Sequence, residues 1–173
     1  MKTNGFRGCQ WGADREEIIA SEGTPPVGEE RNVLVYATSL VGSDCRVFYG
    51  LTDGRLAYGG YTIDHKDDRR DVADYLALKS RLEEKYGAPS ATGTDWHPSL
   101  DVIPDVATES AAAAAVASGA VKFRASWTLE DSSIVAVLTA DDQRNAYVGV
   151  FYYDNGYAAG QVASTRESDL AQL

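Results

Sequence analysis

Two histidines and a group of acidic residues are the side chains of this chain best suited to binding a metal ion. His65 lies in the acidic run Asp64-His65-Lys66-Asp67-Asp68, and His97 follows Asp95 and Trp96. Imidazole and carboxylate groups bind divalent metals, but the sequence has no His-x₃-His or Cys-x₂-Cys spacing. The acidic run also precedes a predicted helix, whose N-terminal end favours carboxylates. We therefore interpret the run as a solvated turn and predict no metal site and no cofactor.

The two cysteines, Cys9 and Cys45, are the candidates for nucleophilic chemistry. Neither lies in a nucleophile-elbow sequence, and no local signature marks a dyad with His65 or His97. Cys45 alternates with apolar Val47, as a core residue does. The sequence therefore predicts no catalytic residue. It favours two half-buried thiols, with a Cys9–Cys45 disulfide in an oxidising compartment as the alternative.

Phosphate and dinucleotide binding receive no support, because neither a Walker sequence nor Gly-x-Gly-x-x-Gly occurs. The nearest stretch is Tyr58-Gly59-Gly60-Tyr61, inside a predicted strand. There the paired glycines indicate a bulge or a close approach of another group to the backbone.

Tyrosine is the residue type that most suggests a binding surface. The chain has ten tyrosines, and Phe151, Tyr152 and Tyr153 are consecutive, so both faces of the last predicted strand carry rings. Solvent-facing rings suit protein interfaces, whereas tyrosines packed under helices need no partner. Trp96, beside Pro98 in a predicted loop, is either pinned as a lid or exposed as an anchor. The candidate binding residues are Trp96, Tyr61, Tyr152 and Tyr153.

The element that organises these residues is a predicted helix from Asp68 to Gly87. Its period of 3.6 residues puts six apolar residues on one face: Leu78, Leu82, Tyr75, Tyr86, Val72 and Leu76. The opposite face carries Arg81, Asp74, Glu84 and Ala73. Gly87 and Pro89 end the helix. Its apolar stripe requires a partner, and strand-like runs on both sides suggest a sheet.

The other elements predict an α+β fold. A short helix begins at Asp14, which forms a capping box with Glu17, and ends at Gly23. Asp53-Gly54 favours a type I′ hairpin. Strands are predicted at residues 32–39, 45–51, 55–63, 121–129, 134–140 and 146–153. The order helix-βββ-helix-βββ predicts an antiparallel sheet of about six strands, in two meanders, covered by helices. The strands form one sheet or two half-sheets.

The domain organisation follows from this order. We predict a single domain over residues 1–156, with a pseudo-repeat of 6–66 and 67–156. Residues 157–173 are polar and Gly-rich, which predicts a loosely ordered tail. The alanine run within 99–120 predicts either a short helix packed closely on another element or a mobile insertion. We favour a peripheral segment, because small side chains bury little area.

Composition excludes several function classes. The formal net charge of -10 disfavours nucleic acid and anionic membrane surfaces as partners. No apolar run reaches the ~20 residues of a membrane span, and the polar start MKTNGFRGCQWG is not a signal peptide. We expect a periplasmic or cell-envelope location if a leader has been removed, in which case a lipid anchor is conceivable, and a cytoplasmic location otherwise.

The first 90 or so residues resemble a group of small bacterial proteins of unknown function. The shared pattern is Phe-x-Gly-x-x-Trp-Gly, then a tyrosine-rich meander, then a helix ending in Lys-Tyr-Gly-x-Pro. Its residues here are Phe6, Gly8, Trp11, Gly12, Tyr36, Tyr49, Tyr58, Lys85, Tyr86, Gly87 and Pro89. The resemblance implies an exported or lipid-anchored protein. The element order is also similar to that of small outer-membrane assembly lipoproteins and β-lactamase inhibitor proteins, which implies binding to other proteins.

The function expected from the sequence is a non-catalytic binding or assembly module, which recognises a protein partner through a tyrosine-rich sheet surface. Opposite potentials speed encounter, so the acidic chain predicts a basic partner. The alternative is a small-molecule binding protein or hydrolase, with a pocket between the long helix and the sheet and a histidine at its mouth. A third possibility, inhibition of a partner enzyme, is implied by the similarity of element order.

Overall fold

The computed structural model describes residues 1–64, 68–98, 106–141 and 143–157, and only the backbone of Asp64, Asp68 and Arg69. The helices of the described residues are α1 (Arg15–Glu22), α2 (Asp68–Tyr86) and α3 (Glu109–Ala117), and residues 155–157 are also helical. The strands are β1 (Gly5–Phe6), β2 (Cys9–Gln10), β3 (Gly28–Glu30), β4 (Val33–Leu40), β5 (Ser43–Thr52), β6 (Arg55–Asp64), β7 (Ala91–Trp96), β8 (Val121–Thr128), β9 (Ser132–Ala140) and β10 (Ala146–Asp154).

Eight of the strands form one sheet, in the order β3-β4-β5-β6-β10-β9-β8-β7. All neighbouring pairs described are antiparallel. The last described strand, β10, lies in the interior of the sheet and joins the two meanders by pairing with β6. β1 and β2 form a separate two-stranded hairpin. The prediction of an antiparallel α+β fold is confirmed. Of the two predicted alternatives, the strands of both meanders form one sheet and not two half-sheets.

The predicted strand count was too low. Four short strands were missed: β1, β2, β3 and β7. β3 and β7 lie in stretches for which no strand was predicted. The observed order is therefore not a simple helix-βββ repeat, because β7 and α3 stand between α2 and β8.

Tight turns set the register of the first meander. Asp53 and Gly54 have φ values of 52° and 74° and join β5 to β6, which confirms the predicted hairpin. Val41 and Gly42 join β4 to β5 with φ values of 49° and 83°. Positive φ at both central residues characterises the type I′ turn, whose twist matches that of the strands. β5 therefore begins at Ser43, two residues before the strand predicted at 45–51.

The predicted capping of α1 is confirmed. Asp14 accepts hydrogen bonds from the backbone N–H groups of Glu16 and Glu17, and the Glu17 carboxylate accepts one from the Asp14 N–H. Gly23 closes the helix with φ of 70°. These contacts satisfy N–H groups that have no partner inside the helix.

The long helix α2 also forms as predicted, with one correction to its faces. Val72, Tyr75, Leu78 and Leu82 are buried, but Leu76 is 49% exposed. Asp74, which helical periodicity put on the solvent side, is buried and accepts a hydrogen bond from the Ser43 hydroxyl at 3.0 Å. The buried face is wider than its apolar residues alone indicate, because α2 contacts both the sheet and α3.

The Ala-rich stretch contradicts the prediction of a peripheral segment. Within α3, Ala112, Ala113, Ala115 and Val116 are buried. Their small side chains let α3 pack closely on the sheet and on α2. Residues 99–105 of the predicted insertion lie outside the described part of the chain.

The helices α1, α2 and α3 lie on one side of the sheet, which we call the covered face. Its strand residues include Tyr49, Tyr61, Phe123, Trp127 and Tyr152. α1 reaches it through Glu22, which binds Tyr49, and α2 through Tyr75 beside Phe123 and Tyr86 beside Tyr152. The N-terminal residues also lie on this face, where the Phe6 ring packs on three tyrosines.

Both cysteines are buried and carry free thiols, so the disulfide alternative is not formed in this structure. Burial raises the pKa of the Cys45 thiol, while the nearby Arg7 charge opposes that effect. A raised pKa keeps the thiol protonated and weakens it as a nucleophile.

Candidate functional site

The opposite side of the sheet, which we call the open face, carries the other half of the alternating strand residues. One row across it contains Val35, Phe48, Gly60, Phe151 and Val135 in register. The next row contains Val33, Gly50, Tyr58, Tyr153 and Ser133. No helix among α1–α3 packs on this side. Its rings are half-buried, whereas Tyr49, Trp127 and Tyr152 on the covered face are buried.

Five of these rings form a continuous group, which we call the aromatic platform: Phe48, Tyr58, Phe151, Tyr153 and Tyr157. Phe48 is 5.7 Å from Phe151 and 6.4 Å from Tyr58 between ring centroids. Tyr58 stacks on Tyr153 at 6.4 Å and on Tyr157 at 5.4 Å. Residues 158–173 of the predicted tail lie outside the described residues.

Three glycines lie directly beneath rings of the platform. A Cβ atom placed on Gly50 would be 2.0 Å from the Tyr58 ring, and one on Gly60 would be 2.5 Å from the Phe48 ring. A Cβ on Gly149 would be 2.5 Å from the Phe151 ring. Because the backbone has no side chain at these positions, the rings lie flat on the sheet and present their outer surfaces.

The paired glycines of the Tyr58-Gly59-Gly60-Tyr61 stretch confirm the predicted close approach to the backbone. Gly60 receives the Phe48 ring on the open face. Gly59 receives the Phe6 ring on the covered face, where a Cβ would be 2.3 Å from that ring. Adjacent strand residues point to opposite faces, so each glycine serves a different side of the sheet.

No family model, curated protein or solved structure matches this chain.

A depression of about 520 Å³ borders the platform at the β4–β5 end. Val33, Val35, Leu51, Tyr58 and Tyr157 contribute its apolar wall, and residues 30–32 contribute a polar rim. It is wide enough to accept a side chain of a partner, which is how anchor residues bind at protein interfaces.

Charged side chains of both signs alternate beside the aromatic platform. Arg46, Lys122 and Arg124 are exposed there, as are Asp44 and Asp95. Arg124 Nε lies 4.0 Å from Asp95 Oδ2, with both side chains about half exposed. The described part of this surface is therefore close to neutral, although the chain carries a net charge of -10.

The phenol groups of Tyr58 and Tyr153 in the platform remain uncharged at neutral pH. Burial raises the pKa of Tyr58 and of Tyr153, and the neighbouring Tyr157 phenol adds to both effects. Neutral hydroxyls can both donate and accept hydrogen bonds, so the platform combines apolar ring surface with polar tips.

The four residues predicted as anchors are divided between the two faces. Tyr153 is on the open face, within the platform. Tyr152, 9% exposed, and Tyr61 lie on the covered face against Phe6, so they are not solvent-facing anchors. Trp96 ends β7 in register with Val121 and packs at the margin of the core.

Sequence reasoning missed Phe48, Tyr58, Phe151 and Tyr157 as surface residues. Strand alternation already placed Phe48 opposite Tyr49, and it separates Phe151 and Tyr153 from Tyr152. What it could not supply was which of the two faces the helices cover.

Those residues considered for chemistry that the structure describes are not gathered into one site. His97 is exposed after β7, and its backbone N–H binds the Ala120 carbonyl at 2.9 Å. His65 lies outside the described residues. Among residues 1–64, 68–98, 106–141 and 143–157, no group of three or more His, Cys, Asp or Glu side chains is placed to hold a metal ion.

None of the helices that the structure describes is long and apolar enough to cross a membrane.

Proposed function

We propose that this protein is a non-catalytic binding module that recognises a folded protein through the open face of its sheet. The observation that carries the proposal is the placement of three aromatic rings on three glycines, on a side where α1–α3 do not pack. Aromatic rings lose little conformational entropy on binding and bury large areas, so they dominate the affinity of protein interfaces.

The size of the open face suits such an interface. At a spacing of about 4.8 Å, eight strands span about 34 Å, and strands of about nine residues are about 30 Å long. The resulting area is on the order of 1,000 Å², compared with roughly 800 Å² per partner in a standard protein complex. One sheet face can therefore accommodate a complete interface.

The charge distribution suggests that long-range attraction of a partner and short-range binding to it depend on different parts of the molecule. Beside the platform, cations and acids are interleaved, so ring contacts and the depression at Tyr58 would supply affinity. The net charge of -10 would act at longer range and favour encounter with a basic partner. The sequence resemblance favours a partner in the bacterial cell envelope.

The proposal is tested with a double variant, Phe48→Ala with Tyr153→Ala, and a matched control, Leu76→Ala. Leu76 is a large exposed apolar residue on α2, away from the open face. Proteins captured by the wild type are identified, and the dissociation constant of a purified partner is measured. We expect the double variant to bind at least about tenfold more weakly, because interface anchors contribute roughly 2 kcal/mol or more. The control keeps wild-type affinity.

Hydroxyl-radical footprinting of the wild-type complex provides a second test that does not require a stable variant. The partner should protect Phe48, Tyr153 and Tyr157 and leave Leu76 reactive. Protection of Leu76 with unchanged reactivity of the platform would place the interface elsewhere and refute the proposal.

A further inference from the structure

A cavity of about 360 Å³ lies on the covered face, at the C-terminal end of α2. The β1–β2 hairpin, β6, β10 and the last turn of α2 enclose it. This volume is near the lower limit of ligand pockets, which hold roughly 300–1,000 Å³. The side chains that give it chemical character are Arg7, Tyr61, Lys85, Tyr86 and Tyr152.

The charged groups of this cavity distinguish it from the rest of the molecule. Of its described lining residues, the two with charged side chains, Arg7 and Lys85, are both cationic, although the chain has a net charge of -10. Glu22 binds Arg7 Nε at 2.7 Å from outside the lining, and this ion pair holds the guanidinium in place. Lys85 Nζ lies 5.0 Å from the centroid of the Tyr86 ring.

Aromatic rings and hydroxyls form the remaining wall. Phe6 lies 5.2 Å from both Tyr61 and Tyr152, between ring centroids. Burial raises the pKa of Tyr61, and the nearby Arg7 guanidinium opposes that effect. The rings of Tyr86 and Tyr152 meet edge to face at 6.5 Å between centroids. These packed rings give the cavity a wall that suits a flat ligand.

We propose that this cavity binds a small aromatic carboxylate, with the carboxylate group at Lys85 and Arg7 and the ring among Tyr61, Tyr86 and Tyr152. Charge-assisted hydrogen bonds from the two cations hold the anion, and offset or edge-to-face ring contacts hold the planar body. This function is independent of partner binding at the open face, because the cavity lies on the other side of the sheet.

Benzoate is the probe, with neutral benzamide of the same shape as its control. In nuclear magnetic resonance titrations at up to about 10 mM ligand, which detect millimolar dissociation constants, benzoate should shift the backbone amide signals of Gly8, Lys85 and Tyr86. Benzamide should bind at least about tenfold more weakly, because it cannot form the charge-assisted contacts.

The matched variants are Lys85→Gln and Lys122→Gln, which make the same charge change at exposed sites. Lys85→Gln should weaken benzoate binding about tenfold, and Lys122→Gln, on the open face, should leave it unchanged. The absence of benzoate shifts at these amides would overturn the proposal. So would equal affinity for benzamide, or an equal loss in both lysine variants.

Discussion

At the residue scale, the open face depends on the absence of a Cβ atom in glycine. Gly50, Gly60 and Gly149 have no Cβ atom under the rings of Tyr58, Phe48 and Phe151. Glycine usually weakens a strand, because it loses more backbone entropy on folding and packs no side chain. Here the ring of a neighbouring residue covers the bare backbone and offsets part of that cost.

We expect Gly60→Ala to destabilise the fold by about 1–3 kcal/mol, the usual cost of overpacking. The new Cβ would lie 2.6 Å from the Val150 carbonyl oxygen as well as against the Phe48 ring, and the backbone oxygen cannot move aside easily. Equilibrium unfolding in urea measures the change.

The control for this prediction is Gly28→Ala in the edge strand β3. Its nearest neighbour, the Val35 Cβ, would be 3.8 Å from the added carbon, which is ordinary contact. Equal stability of the Gly60 and Gly28 variants would contradict the argument that ring-on-backbone packing decides this position.

At the element scale, α3 is a helix whose buried surface is made of alanine. Thr108 caps it by accepting a hydrogen bond from the Ala111 N–H at 3.1 Å. Its buried residues bring the helix axis close to both α2 and the sheet. Sequence reasoning equated small side chains with little burial and so placed this segment at the periphery. The error arose because small residues let a helix approach its neighbours closely, and this close packing buries the helix without large side chains.

We expect Ala115→Leu to destabilise the protein by about 1–3 kcal/mol, since the larger side chain must displace α2 or the sheet. Ala114→Leu is the control, because Ala114 is exposed on the same helix and both changes have nearly the same helix propensity cost. Thermal unfolding of the two variants decides between a packed and a peripheral helix. If the helix is packed, the thermal unfolding midpoint of Ala115→Leu will be clearly lower than that of Ala114→Leu.

Two of the missed strands, β3 and β7, share one explanation. β7 has the sequence Ala-Thr-Gly-Thr-Asp-Trp, and β3 has Gly-Glu-Glu. Neither alternates apolar and polar residues, so neither gives the strand signal. They form because β8 and β4 offer unpaired edges to which they hydrogen-bond. Edge strands receive their structure from the neighbouring strand, and local sequence does not reveal that neighbour.

At the scale of the whole molecule, the strands could be predicted from the sequence, but their order in the sheet could not. Alternation and turn residues located six strands to within a few residues, and the period of α2 identified a helix that must cover a sheet. The pairing of β6 with β10 was not predictable, because no local pattern records a contact between residues about 90 positions apart. The open face depends on that pairing, since Phe48 and Phe151 meet across it.

Buried tyrosines should make the fold sensitive to alkaline pH. Burial, with the Glu83 charge nearby, raises the pKa of Tyr75 from 10.0 to about 12. Burial raises the pKa of Tyr49 and of Tyr152 further, with Glu22 and Tyr86 respectively as additional causes. The folded state therefore holds these protons more tightly than the unfolded chain does. Their contribution is complete below about pH 10 and decreases as the pH rises above it.

We expect part of the phenolate absorbance to appear only together with loss of the sheet signal in circular dichroism, at a pH above 10, the ordinary pKa of tyrosine. Tyr75→Phe removes one such group and should move the onset of this loss to higher pH. Complete, reversible ionisation of all ten tyrosines with an intact sheet signal would show that burial does not protect them.

The turn between β8 and β9 gathers segments from both ends of the described chain. The Asp131 carboxylate accepts hydrogen bonds from the N–H groups of Thr3 and Asn4, and the Asp131 carbonyl accepts one from Asn155. Thr3 and Asp131 are 128 positions apart. During synthesis the first residues therefore lack these partners until Asp131 has left the ribosome. The hydrogen bonds around Asp131 form only after the segment that contains it has been translated. This part of the fold is therefore completed late.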